Sequence, residues 1–217
     1  MIPDVPPTLN CKVYLLSQGQ QPALDKFLEE HLKKGYIHQS KSSYALPFFF
    51  IKKKSGGLER PIQDYCQLNA ITIQNTYPLP LIKELINQLL NKEWFTKFDI
   101  RWGYNNICIK EGDEWKATFK TNRGLFEPTV MFFRLTNSPA TFQTMIDELF
   151  KKELATRDIV IYIDDILIAI AGILDTHKQA VCNVLQKLKN NDLFLKPKKC
   201  QFHQKEVEYL RVIVGNG

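Results

Sequence analysis

The chain has 217 residues, enough for one or two folded domains with a substantial core. Apolar residues make up 44% and charged residues 24%, which excludes a disordered chain, and no apolar stretch approaches the length of a membrane span. Lys and Arg number 29 against 23 acids, and the resulting net charge of +6 suits a polyanionic partner.

Residues 1–20 read as irregular, with Pro3, Pro6 and Pro7 and no signal-peptide pattern. Leu24, Phe27, Leu28 and Leu32 recur at helical spacing, and Gly35 supplies the stop. An aromatic strand, Tyr44 to Ile51, leads through Lys52-Lys53-Lys54-Ser55-Gly56-Gly57 into a second, Leu58 to Tyr65, which predicts a hairpin with a Gly-Gly turn. Pro78 and Pro80 open a helix with the stripe Leu81, Ile82, Leu85, Ile86 and Leu89. Trp94 to Ile100 alternates as a half-buried strand does, and Tyr104 to Ile109, Trp115 to Phe119 and Gly124 to Phe133 read as extended.

Ser138-Pro139 predicts a helix start, running to about Leu154 with Phe142, Met145, Ile146 and Leu149 on one side. Asp175 caps a further helix with Ala180, Val181, Val184, Leu185 and Leu188 inward, and Phe194 to Lys196 and Val207 to Val214 close the chain as short strands. Helices and hairpins interleave without strict β-α-β alternation, so the predicted class is α+β with a mostly antiparallel sheet. Five scattered cysteines without a C-x-x-C pair indicate neither a disulfide framework nor a zinc site, and fit a reducing, intracellular setting. Cys200 and His203 lack a partner pair and read as ordinary side chains.

The run Ile159 to Ile170 carries a single Asp164-Asp165 pair among uncharged, mostly apolar residues. Its Ile and Val content reads as β structure long enough for two short strands. Adjacent carboxylates are costly to bury ionised, so the least strained arrangement is a hairpin whose tight turn is Asp164-Asp165. There they repel each other unless a cation neutralises them, and hard oxygen ligands suit Mg2+ or Mn2+. Asp is also a common turn residue, so a purely structural hairpin competes with this reading. Asp99 shifts the balance. It ends a neighbouring strand, and a strand-end Asp beside a paired Asp is the layout that holds two metal ions about 3.5–4 Å apart. Two lysine clusters, Lys52-Lys53-Lys54 and the set Lys187, Lys189, Lys196, Lys198, Lys199 and Lys205, read as solvated surface.

Together these residues resemble the reverse transcriptase domain of gypsy-type LTR retrotransposons, from about Lys12 to Val214. The resemblance rests on motifs in order: Arg60-Pro61-Ile62-Gln63-Asp64-Tyr65 with Leu68-Asn69, Tyr77-Pro78-Leu79-Pro80, and Phe95 through Tyr104. Gly112 to Lys116, Gly124 to Glu127, Leu135 to Gln143 and Tyr162-Ile163-Asp164-Asp165 complete the set. It implies the fingers and palm of a right-hand polymerase, with residues 1–20 as an N-terminal extension, 21–92 and 111–138 as fingers, and 93–110 and 139–217 as palm. It also implies RNA-directed DNA polymerase activity inside the cell, in a cytoplasmic particle or the nucleus, on an RNA or DNA template with primer.

By the same resemblance Asp99, Asp164 and Asp165 match the carboxylates that bind two Mg2+ ions. Lys53 and Arg60 match a clamp on the incoming dNTP, and Tyr104 matches the residue that excludes a 2′-hydroxyl. Phe133 and Arg134 fall in the segment lining the nucleotide pocket. Lys52, Lys54, Pro139, Gln143, Tyr162 and Arg211 are expected against template and primer, which makes binding salt-sensitive and sequence-independent. The chain stops about where palm gives way to thumb, so thumb and RNase H segments are expected elsewhere in a longer polyprotein.

Four positions depart from the pattern: Arg134 and Arg211 stand where glycine is usual, and Cys66 and Cys108 where arginine is usual. If those glycines adopt φ > 0, each Arg costs on the order of 1–2 kcal/mol. Each replacement is a single G-to-A or C-to-T codon change, which motivates the hypothesis of a copy decaying by mutation with its carboxylates intact. Active sibling copies sharing both arginines would sink it. Two rival readings follow: a catalytically silent remnant that at most binds nucleic acid, and a carboxylate-metal nuclease, in which Lys53, Arg60 and Tyr104 have no task.

Overall fold

A computed structural model describes residues 1, 5–51 and 60–215. The expected turn bearing Lys52, Lys53, Lys54 and Gly56-Gly57 lies outside the described residues. In chain order the elements are β1 (Leu9–Asn10), α1 (Gln21–Lys33), β2 (Ile37–Gln39), β3 (Tyr44–Ile51), β4 (Arg60–Gln63), α2 (Cys66–Ala70), α3 (Ile82–Gln88) and β5 (Trp94–Asp99). Then come β6 (Phe119–Thr121), β7 (Gly124–Pro128), α4 (Ser138–Leu149), α5 (Lys151–Thr156), β8 (Ile159–Tyr162), β9 (Asp165–Ile170), α6 (Leu174–Asn190), β10 (Gln201–Gln204), β11 (Glu206–Tyr209) and β12 (Val212–Gly215). They form two units, Met1–Asn75 with Tyr104–Ser138, and Thr76–Gly103 with Pro139–Gly217. Among the described residues no helix is long and apolar enough to cross a membrane.

The first unit is built on a sheet of order β1-β3-β6-β7-β2, with β4 also paired to β3. Its core joins the α1 stripe Leu24, Phe27 and Leu28 to Ile37, Leu46, Phe48, Phe119, Phe126 and Phe132. Aromatic rings interlock there, Phe27 lying 5.4 Å from Phe48 and 6.4 Å from Phe119 and Phe132. Gly35, at φ +68°, ends α1 as its position predicts. The expected strand 104–109 is instead a 3-10 turn, Gly103–Asn106, followed by an isolated bridge from Cys108 to Val130. Trp115 likewise lies in a 3-10 turn, Glu114–Ala117, because Gly112 at φ +83° and the Lys116–Asp113 ion pair bend the chain before β6 begins. Helix α2 was not anticipated; it follows directly on β4.

The second unit carries a wholly antiparallel four-stranded sheet, β10-β5-β9-β8. Every residue from Ile166 to Ile170 is buried, so β9 is covered on both faces, which is why its sequence is a continuous apolar run. Leu85 and Leu89 of the α3 region pack with Phe95, Val160, Leu167, Ala169, Val207 and Tyr209. That packing places α3 with this sheet. Pro78 and Pro80 precede α3 in chain without regular secondary structure, and Leu81 and Ile82 remain exposed, so the apolar stripe is narrower than predicted.

The helix expected from Ser138 to Leu154 breaks at Phe150, whose ring is fully buried. Asp175 stands inside the first turn of α6 rather than capping it, where its charge complements the helix dipole. Phe194 to Lys196 contributes only an isolated bridge, Ile100 to Leu195. Val207 to Val214 is a hairpin, folded at Leu210-Arg211, both at positive φ. Strand β10, containing His203, was missed by the sequence reading and pairs with β5.

Candidate active site

Strand pairing brings the three acids to one end of the antiparallel sheet. Asp99 closes β5 and lies directly opposite Asp165, the first residue of β9. The Ile100 N–H donates to the Asp164 carbonyl at 2.9 Å and ties the adjoining turn to the same strand end. The two-residue turn is Ile163-Asp164, not Asp164-Asp165: Asp165 already pairs with Tyr162 across β8 and β9. Turn geometry explains the shift, since the register leaves only Ile163 and Asp164 unpaired. Ile163 takes φ +54°, a conformation that costs a β-branched residue on the order of 1–3 kcal/mol. Gly103 passes close by, and a β carbon there would meet Asp164 Cβ at 3.4 Å and the Phe142 ring at 3.5 Å.

Asp99 is buried, and Lys196 and Lys199 both bond its carboxylate, Lys199 Nζ at 2.8 Å from Oδ2. Burial pushes its pKa up, but the two ammonium hydrogen bonds outweigh that and hold it below the usual carboxylate range. Asp164 is raised, first by burial and then by the charge of Asp99. Asp165 is raised by burial, and further by Asp164 and Asp99, against the pull of Lys97. Two of the three acids therefore gain from any added positive charge, and all three offer the hard oxygens that Mg2+ prefers. As the side chains stand, no three carboxylate, imidazole or thiol groups among the described residues converge tightly enough to enclose a cation. Lys196 and Lys199 take that charge-balancing place on Asp99.

The remaining predicted residues fall in several places. In the first unit Tyr104 and Phe133 face each other with ring centroids 6.2 Å apart. The segment bearing Tyr104 is tied to the one before Phe133 by Met131 N–H to Ile107 O at 2.8 Å and Ile109 N–H to Thr129 O at 2.8 Å. Arg134 follows at φ +79°, exposed, its guanidinium 5.8 Å from the Phe49 ring centre. The Asn69 side chain spans this turn, donating to Arg134 O at 2.8 Å and accepting from Thr136 N–H at 2.9 Å. Arg60 is exposed at the start of β4, while Lys52, Lys53 and Lys54 lie outside the described residues.

In the second unit Tyr162 and Pro139 are half-buried, and Arg211 is exposed at φ +68°. Gln143, expected against nucleic acid, is fully buried and both ends of its amide are committed inside the protein. Its place on the inward side of α4, beside Phe142, rules out the surface role. Lys196 and Lys199 went unrecognised as site residues, because in sequence they belong to a lysine run that looks like a solvated face. The available signal is Pro197: it starts a 3-10 turn, Pro197–Lys199, that brings Lys196 just before it and Lys199 at its end to one carboxylate.

Residues 51–214 match the family described as "Reverse transcriptase (RNA-dependent DNA polymerase)". The Transposon Tf2-3 polyprotein of Schizosaccharomyces pombe is 39% identical over 197 residues, covering 91% of this chain and 15% of the polyprotein. The Tf2-7 polyprotein of the same organism is 38% identical over the same shares. This chain thus spans about 15% of the length of the curated relatives it matches. A foamy viral protease-reverse transcriptase solved with an RNA/DNA hybrid superposes with a TM-score of 0.88 at 19% identity, covering 98% of this chain and 28% of that one. Another foamy viral structure, with double-stranded DNA, gives 0.87 at 20% identity, covering 97% and 36%. These superpositions give the fold, α+β of the fingers-and-palm kind, and with the family match over most of its length the chain belongs to the reverse transcriptase (RNA-dependent DNA polymerase) family.

Proposed function

We propose that this chain is the polymerising module of a reverse transcriptase, adding dNTPs to a primer 3′-end on an RNA or DNA template. The observation that carries the reading is the in-register pairing of Asp99 with Asp165 at the strand end, with Asp164 in the adjoining turn. Asp99, Asp164 and Asp165 would hold two Mg2+ ions, or Mn2+, which when bound polarise the attacking hydroxyl and neutralise the leaving pyrophosphate. The protein's share is positioning. Strand register fixes the acids, and burial together with their mutual repulsion favours cation capture. Hydrogen bonds from Lys196 and Lys199 hold the Asp99 pKa below the usual carboxylate range, which favours the charged form that ligates a cation.

Tyr104 and Phe133 supply a paired aromatic surface suited to a sugar and base, with Arg60 and Lys53 as candidate partners of the triphosphate. The foamy viral structures, solved with an RNA/DNA hybrid and with double-stranded DNA, support a template-primer as the partner, and the +6 net charge is compatible with it.

Arg134 and Arg211, both at positive φ, favour a second reading: a catalytically silent remnant that binds nucleic acid. Primer extension on an RNA template with a DNA primer separates the two. Incorporation with Mg2+ or Mn2+ that Asp164→Asn abolishes, on the order of 10³-fold or more, establishes the polymerase. Folded protein that binds primer-template without incorporating dNTPs establishes the remnant.

A further inference from the structure

The Tyr77-Pro78-Leu79-Pro80 motif has no task among the carboxylates, and Gln143 has no access to nucleic acid, yet both belong to one hydrogen-bond chain. Gln143 Oε1 accepts the Ile163 N–H at 2.8 Å, in the turn that carries Asp164. Gln143 Nε2 donates to Asp147 Oδ1 at 2.8 Å, one helical turn along α4. Tyr77 O–H donates to the other carboxylate oxygen of Asp147 at 2.8 Å. Each atom's role is fixed. An ionised carboxylate only accepts, so it selects the NH2 end of Gln143 and turns the carbonyl end toward Ile163. The amide so held belongs to a β-branched residue at φ +54°, a conformation that persists only where its surroundings enforce it.

We propose that Gln143 is a positioning residue for polymerisation, clamping the Ile163 amide so that the Ile163-Asp164 turn presents Asp164 and Asp165 in catalytic register, with Asp147 and Tyr77 fixing which way the Gln143 amide faces. The proposal rests on the polymerase reading above. Gln143 bonds the Ile163 amide and Asp147 rather than Asp99, Asp164 or Asp165, and so acts through backbone geometry. Such a role shows in turnover rather than in grip on primer-template, because a displacement of about 1 Å at reacting groups costs on the order of 10²-fold in rate.

The test exchanges the two partners. Gln143→Glu sets two carboxylates facing and removes the donor to Asp147. Gln143→Glu with Asp147→Asn restores the pattern with donor and acceptor swapped. The introduced amide NH2 then donates to the introduced carboxylate, while the amide oxygen still accepts from Tyr77. The single variant is expected to lose on the order of 10²-fold in kcat with primer-template affinity unchanged, and the double to recover most of it. Hydrogen exchange at the Ile163 amide gives a second readout that needs no activity, accelerated in Gln143→Glu and slowed again in the double. Full kcat in the single variant, or no recovery in a folded double, overturns the proposal. If the wild-type chain incorporates nothing, the polymerase reading fails separately, and unchanged Ile163 exchange in Gln143→Glu then overturns the clamp.

Discussion

His177 is fully buried on α6, its Nε2 2.8 Å from Thr96 Oγ1 on β5 and its ring 5.4 Å from that of His203. Burial, with a smaller contribution from His203, pushes its pKa down to about 4. A folded-state pKa below the unfolded value of about 6.5 means that the unfolded chain takes up the proton first. The stability that neutral His177 contributes is therefore complete above about pH 6.5 and is lost as pH falls toward 4. Between pH 7 and pH 5 this amounts to roughly 2 kcal/mol, and His177→Gln is expected to flatten that part of the profile when urea midpoints are compared. At this scale Asp99, Asp164 and Asp165 stand out in the sequence as acids among apolar residues, and strand pairing brings them to one sheet end. Lys196, Lys199 and the inward Gln143 do not stand out, because their meaning comes from chain brought together across long separations, and a lysine run looks the same whether it faces water or a buried carboxylate.

Among the elements, those with a strong apolar period, α1, β3, β5, β8 and β9, stood where the sequence placed them. The errors have physical causes. Tyr104 to Ile109 alternates like a strand but folds into a 3-10 turn that sets Tyr104 against Phe133, and β10 is too polar and short to signal itself. The hairpin β11–β12 shows a local rule broken for no visible gain. Its turn, Leu210-Arg211, needs positive φ at both positions and has glycine at neither. Arg211→Gly is expected to raise stability by about 1 kcal/mol, a Tm increase of roughly 2–4 °C by thermal melting, and Arg134→Gly to do the same in its own turn. A fall in Tm on either change would show that the arginine side chains make contacts worth more than the backbone strain.

For the whole molecule, net charge governs the encounter with a polyanion. Binding to primer-template is expected to weaken linearly on a log–log plot against salt, on the order of tenfold or more between about 50 and about 200 mM, with equal slopes for unrelated base sequences. Fluorescence anisotropy titrations measure this, and a slope that varies with base sequence would point to base-edge contacts instead. The α+β class was readable from the interleaving of helices and hairpins. The two units divide between Ser138 and Pro139, and Leu85 and Leu89 pack α3 with the antiparallel four-stranded sheet, a placement no local pattern reveals.

Strand β5 sits inside its sheet between β9 and β10, both encoded far downstream of it. During synthesis the segment ending in Asp99 therefore leaves the ribosome with both hydrogen-bonding edges bare, long before either neighbour exists. A nascent chain stalled or cleaved before Ile159 exposes a ready template for strand addition by other chains, a hazard that ends only once β8, β9 and β10 have been made.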